Sequence, residues 1–142
     1  MSKIYFTVEE ANELLAEIRP KLERVMKLNE DINAISQMNL EPLEESLENE
    51  LLMINANKEF HLQSVEFFSL MEELVKMGCI VKDLEKGLVD FYHRLDDEDV
   101  YLCWKLDEKE ITAWHRLDTG YEDRKPIAIL QRGYEEKLRR LR

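Results

Sequence analysis

The chain has 142 residues, 44% hydrophobic and 36% charged, with a formal net charge of −11. That is the length of one domain, enough to bury a core without disulfide or metal staples, and too apolar for a disordered chain. The excess of 31 acidic over 20 basic residues repels phosphate backbones, so no nucleic-acid partner is expected.

Gly (4) and Pro (3) are scarce, which predicts long unbroken elements. Thr7-Val8-Glu9-Glu10 has the form of a capping box, and Phe6 before it can staple onto Ala11. From there Ala11, Leu15, Ile18, Leu22, Val25, Asn29 and Ile32 recur at alternating spacings of four and three, the seam of a long amphipathic helix. Pro20 falls inside it. Because the seam stays in register from Ile18 through Leu22 to Val25, Pro20 is expected to kink the helix rather than end it. Asn29 on the seam either sets register or lies at a solvated edge.

Met38 to Pro42 reads as the connecting turn, with Pro42 suited to the first position of a second helix. No Gly or Pro follows until Gly78. Leu43, Leu47, Leu51 and Ile54 begin one stripe. Met53, Ala56, Phe60, Gln63, Phe67, Leu70, Leu74 and Met77 continue another on a shifted face. Gly78 supplies a left-handed C-cap. Two helices of this length joined by a short loop form an antiparallel hairpin. These apolar seams are longer than two helices can cover, so self-association is expected, with a dimer making a four-helix bundle.

Beyond Gly78 the period changes to two. Cys79–Asp83, Leu88–His93, Val100–Leu106 and Glu110–His115 read as short antiparallel strands, separated by charged turns at 84–87, 95–99 and 107–109. The fold class is therefore α+β: a long antiparallel helical hairpin packed with a small three- or four-stranded antiparallel sheet. Within the single domain 1–142, the hairpin spans 7–78, the β-meander 79–124 and a basic tail 125–142. Residues 124–142 hold seven basic and two acidic groups. Arg132, Lys137, Arg139, Arg140 and Arg142 are expected to dock on the chain's own acidic surface or stay solvated.

The candidate ligand-binding residues lie in the strand region: Asp83, Asp90, Trp104, Trp114, His115 and Arg124. Two neighbouring carboxylates push one pKa upward, and a histidine at a strand end is an available base. Arg124 has the fork to clamp a carboxylate or phosphate. One arrangement places Asp83, Asp90 and His115 in a polar cluster at the sheet edge, walled by the two tryptophans; a ligand site using all six residues would lie between sheet and hairpin. The alternative makes the acids turn residues and the tryptophans core. A turn at Asp107-Glu108 pairs Trp104 with Ile111, Leu102 with Ala113, and Val100 with His115. Cys103 and His115 then face opposite sides, which argues against a Cys–His dyad or shared zinc; a one-residue slip reverses this. No metal and no cofactor is expected, and Cys103 reads as a small buried hydrophobe. The sequence has no Gly-rich phosphate loop, GxSxG, HExxH or EF-hand loop, and leaves open whether the chain is an enzyme.

Phe6-Thr7, Glu10-Ala11-Asn12, Arg19-Pro20, Val81-Lys82-Asp83-Leu84 and Gly87-Leu88-Val89-Asp90-Phe91 resemble the first half of the bacterial domain-of-unknown-function family twenty-two-oh-three. Val100-Tyr101-Leu102-Cys103-Trp104, Glu110-Ile111, Trp114-His115, Gly120-Tyr121 and Arg124-Lys125-Pro126 are similar to its later motifs. The turns at 97–99 and 107, where family members often carry glycine, are acidic here. The resemblance implies a small soluble bacterial protein and no particular reaction. No secretory leader and no membrane-length apolar run is read, and two unpaired cysteines suit a reducing cytoplasm. The leading functional expectation is a self-associating interaction or structural module, with a second copy or another protein as partner. The alternative is a small-ligand protein or enzyme working near Asp90 and His115.

Overall fold

The computed structural model describes residues 3–38 and 45–130. Most of the predicted turn at 38–42 and the tail arginines and lysine beyond 130 lie outside the described residues.

Helix α1 spans Val8–Ser36. Its capping box is complete: the Glu10 amide donates to Thr7 Oγ1 at 3.1 Å and the Thr7 amide donates to Glu10 Oε1 at 3.1 Å. The helix runs unbroken through Pro20. Pro20 and Ala16 are both on the exposed side, so the carbonyl that loses its helical donor is left to water rather than to the core. Ala11, Leu15, Ile18, Leu22, Val25 and Leu28 are buried. Leu28, not Asn29, takes the sixth buried place. Asn29 is half-buried at the edge.

Helix α2 spans Leu47–Lys76 and begins later than Pro42 implied: Ser46 is the N-cap, its side chain accepting from the Asn49 amide at 3.1 Å. At the far end Gly78 has φ +96. The Gly78 amide donates to the Val75 carbonyl and the Cys79 amide to the Leu74 carbonyl, a Schellman closure that needs a left-handed residue. A Cβ at Gly78 would stand 2.6 Å from the Phe6 ring. The helices pair antiparallel, with Lys21 bonded to Glu73 at 3.0 Å and Arg24 gripping Glu66 through two 2.8 Å bonds.

The sheet has five strands in simple meander order, all neighbours antiparallel: β1 (Ile80–Asp83), β2 (Leu88–Leu95), β3 (Glu98–Lys105), β4 (Ala113–Arg116) and β5 (Lys125–Pro126). The fifth strand, inside the segment read as tail, corrects the expected count of three or four. It is two residues long, too short for a period of two to be visible. On one face Val89, Phe91, Val100, Leu102, Trp104 and Trp114 pack with the α1 seam and Leu74 in one core. The other face carries Asp90, Tyr92, Tyr101, Cys103 and His115.

The β3–β4 register also differs from expectation. Leu102 pairs with Trp114, Tyr101 with His115 and Cys103 with Ala113, one residue off the pairing that a tight turn at Asp107-Glu108 gives. The cause is a longer connection. The Ile111 amide donates to Asn12 Oδ1 at 2.8 Å, and Arg19 binds the carbonyls of Leu106 and Glu108 at 2.6 and 3.1 Å. Residues 106–112 are thus held by α1 instead of extending the strands. The slip puts Cys103 and His115 on the same face. Among the described residues no helix is long and apolar enough to cross a membrane.

Candidate functional site

Asp90 on β2, Cys103 on β3 and His115 on β4 are three side chains from adjacent strands on the sheet face turned away from the helices. Asp90 and Cys103 are direct cross-strand partners, while His115 sits opposite Tyr101, two residues along from Cys103. All three are buried, at 2, 2 and 3% exposure, and their donor atoms lie within 4.8 Å of one another. They line a cleft of about 120 Å³ whose other walls are Lys82, Leu88, Thr119, Gly120 and Tyr121.

Hydrogen bonding fixes the imidazole. His115 Nδ1 is 2.8 Å from the Arg116 carbonyl oxygen. A carbonyl only accepts, so Nδ1 carries a proton and donates it. The same carbonyl accepts from the Thr119 amide and hydroxyl at 3.2 and 3.1 Å, which closes the loop over the cleft. His115 Nε2 therefore faces Asp90 Oδ2, 3.1 Å away, and one proton lies between them. The Tyr101 ring meets the imidazole edge-on at 5.4 Å, with the Lys82 ammonium over that ring at 4.5 Å.

Burial raises the Asp90 carboxyl above its ordinary value, against the opposing pull of His115, the Cys103 thiol and Lys82. Burial, then the charge and hydrogen bond of Asp90, push the Cys103 thiol up to about 12, although Arg124 beside it favours the thiolate. Left to itself this centre is a neutral, proton-bearing cluster. Arg124 is oriented from behind by Glu108, through contacts of 2.9 and 3.3 Å.

Of the six sequence candidates, the structure brings together Asp90 and His115, with the Arg124 charge acting on the neighbouring Cys103. Asp83 stands apart: its Oδ1 accepts from the Glu85 and Lys86 amides at 2.9 and 3.1 Å, so it closes the β1–β2 turn. Trp104 and Trp114 belong to the opposite, helix-facing side. Trp104 is fully buried and donates Nε1–H to the Glu108 carbonyl at 2.9 Å. The expectations of a cluster walled by the tryptophans and of a site between sheet and hairpin are thereby corrected; the cleft is on the outer face, and its aromatic neighbours are Tyr101 and Tyr121. Cys103, Lys82 and the Thr119–Tyr121 loop were missed. Cys103 is two residues from Tyr101, so the signal lay in its face parity, which the register slip inverted.

Two other surfaces stand out. A larger hollow of about 470 Å³, between Arg94, Arg116, Asp97, Glu98, Asp99 and Asp118, is open to solvent and mixes both signs of charge. On α2, the stripe through Met53, Phe60, Phe67 and Leu74 turns inward. Leu47, Leu51, Ile54, Val65, Phe68 and Val75 follow heptad spacing on the outer side and are exposed, Phe68 by 67%.

Residues 4–127 match a family described as "Uncharacterized conserved protein (DUF2203)". The chain belongs to this DUF2203 family. The match runs from the α1 cap through the cleft to β5, so the Asp90–Cys103–His115 centre lies inside the family domain. No curated protein and no solved structure matches the chain.

Proposed function

We propose that this DUF2203 protein is a homodimeric module assembled through the outer face of α2. The observation that carries this reading is the uncovered heptad stripe from Leu47 to Val75, about 42 Å of helix. The six side chains of the stripe, together with exposed Leu52 and Leu62 on the same helix, present on the order of 800 Å², the share one partner contributes to a standard interface. That exceeds the apolar patch an ordinary monomer leaves in water. A second copy is favoured by charge placement. Lys58 and Glu72 interrupt the stripe seven residues either side of Val65. An antiparallel two-fold pairing centred on Val65 sets each Lys58 level with its partner's Glu72, and pairs α2 with α2 as a four-helix bundle. The two buried free cysteines support a cytoplasmic location.

Sedimentation equilibrium tests the assembly. The wild type is expected at the mass of two chains and Val65→Glu at that of one. Lys58→Glu should weaken the dimer, and adding Glu72→Lys should restore it. A wild-type mass of one chain at high micromolar concentration overturns the reading.

The Asp90–His115 hydrogen bond supports a second reading, in which each protomer carries a small-ligand site in the cleft. A volume of about 120 Å³ is well under the roughly 300–1,000 Å³ of sites for nucleotide- or drug-sized molecules. The occupant is therefore an ion, or the tip of a larger molecule. NMR signals of the His115 imidazole should move in Asp90→Asn; signals that stay put remove this reading.

A further inference from the structure

We infer that the cleft is a mononuclear transition-metal site, with Asp90 Oδ2, Cys103 Sγ and His115 Nε2 as ligands and zinc as the fitting ion. The inference rests on the cleft being a site at all, and makes its ligand a divalent cation.

Three observations converge on a cation. First, the donor set is a carboxylate, a thiolate and an imidazole nitrogen. Zinc accepts all three types, whereas calcium and magnesium demand six or more oxygens. Second, the geometry is close. A tetrahedral ion with bonds of about 2.0–2.3 Å sets its ligand atoms roughly 3.3–3.6 Å apart. Asp90 Oδ2 and His115 Nε2 already stand 3.1 Å apart, and the widest separation in the trio is 4.8 Å. A side-chain rotation that draws the trio in by about an ångström completes the spacing. Third, the surroundings orient the ligands. The Arg116 carbonyl holds the proton on Nδ1 and so directs the Nε2 lone pair inward, the outer arrangement that metal-bound histidines adopt. The Arg124 charge favours the Cys103 thiolate, and Arg124 is itself held by Glu108.

Charge and protons balance. The metal-free centre holds one proton between Asp90 and His115 and one on Cys103. Binding M²⁺ releases both to solvent, leaving a carboxylate, a thiolate and a neutral imidazole around the dication, with no net charge. Buried protons are exchanged for a buried ion on a rigid three-strand platform.

Three protein ligands leave a tetrahedral ion one open position. It faces the cleft, whose volume of about 120 Å³ is the share of roughly four waters. Lys82 stands at that rim. A metal with a lysine beside it favours an anion in the fourth place: hydroxide, or the carboxylate end of a small molecule. Such a coordination is the open, catalytic type rather than the closed structural type.

The test uses the full chain, stripped with chelator and titrated with Co²⁺. One equivalent should produce tetrahedral d–d absorption and a thiolate-to-cobalt charge-transfer band, both bleached by Zn²⁺. Cys103→Ser should abolish the charge-transfer band. It should also weaken Zn²⁺ binding by more than the roughly 10–100-fold that loss of an outer-shell partner costs; Cys79→Ala should leave both unchanged. Should Cys103→Ser not fold, the wild-type band and its stoichiometry still decide. Absence of both bands in the wild type, or a charge-transfer band that survives in Cys103→Ser, overturns the proposal. The imidazole NMR of Asp90→Asn separates the two levels. Without cobalt binding, His115 signals that move overturn the metal and keep the cleft as a proton-sharing site, while signals that do not move overturn both.

Discussion

Asp90 and His115, twenty-five residues apart in the chain, meet at 3.1 Å on the sheet face that the helices do not cover. Both side chains are buried, and His115 Nδ1 is already engaged by the Arg116 carbonyl, so Asp90 is the partner that satisfies Nε2. Removing one is therefore more damaging than replacing it. His115→Ala takes the imidazole partner from the buried Asp90 carboxyl and is expected to cost about 1–3 kcal/mol. Asp90→Asn supplies an amide N–H to Nε2 in the metal-free protein and should change stability by less than about 1 kcal/mol. Urea unfolding of the two variants checks the asymmetry; equal losses would show that the contact contributes no stability of its own.

The elements that repeat a pattern were legible, and the elements that depend on a distant partner were not. Thr7–Glu10 is a local reciprocal bond, so the α1 cap was readable from four residues. Gly78 likewise announced the end of α2 through its own backbone. The two stripes on α2 were legible, but which of them faces inward was not, because that depends on how α1 packs against it. The β3–β4 register was not, because it is set by Asn12 and Arg19 reaching some ninety residues along the chain to Ile111 and to the carbonyls of Leu106 and Glu108. Asp90 and His115 were named from residue type and from their places beside a turn and at a strand end. Cys103 was set aside because a one-residue error in pairing moves every side chain of a strand to the wrong face. The two tryptophans misled for a related reason: large aromatics mark burial, and here the burial is against the helices.

The β2–β3 hairpin turns on Asp96 and Asp97, whose φ values are +50 and +64. Both central residues being left-handed makes this a type I′ turn, which matches the right-handed twist of the strands but suits Asp-Gly better than Asp-Asp. A non-glycine residue in that region costs about 1–2 kcal/mol, offset in part by the chain entropy that glycine loses on folding, about 0.5–1 kcal/mol. Asp97→Gly is expected to raise stability by about 0.5–1 kcal/mol and to leave the register from Leu88↔Lys105 to Leu95↔Glu98 unchanged. Chemical denaturation measures the first and interstrand NOEs the second. A loss of stability would mean that the Asp97 side chain contributes more than the strain it carries.

Asp99 ties the start of the chain to the sheet. Its Oδ2 accepts from Lys3 Nζ at 3.0 Å and from the Tyr5 hydroxyl at 3.1 Å, and Arg94 Nε lies 3.9 Å from its other oxygen. Nearby, Tyr5 bridges to Tyr92 in parallel and the Phe6 amide donates to the Tyr92 carbonyl, so the ion pair sits where the segment enters α1. The Lys3 hydrogen bond, with lesser help from Tyr5 and Arg94, holds the Asp99 carboxyl below its ordinary value. A carboxyl lowered in the folded state stabilises it above the unfolded pKa, near 3.9. That contribution disappears as pH falls through the lower folded value. Asp99→Asn should therefore melt below the wild type at neutral pH, by a difference that stays constant down to about pH 5 and closes on further acidification. Because these side chains are partly in water, added salt should narrow the gap as well. Melting curves across pH and ionic strength check both trends. A gap that persists unchanged below the carboxylate range would assign the effect to lost packing at Asp99 rather than to its charge.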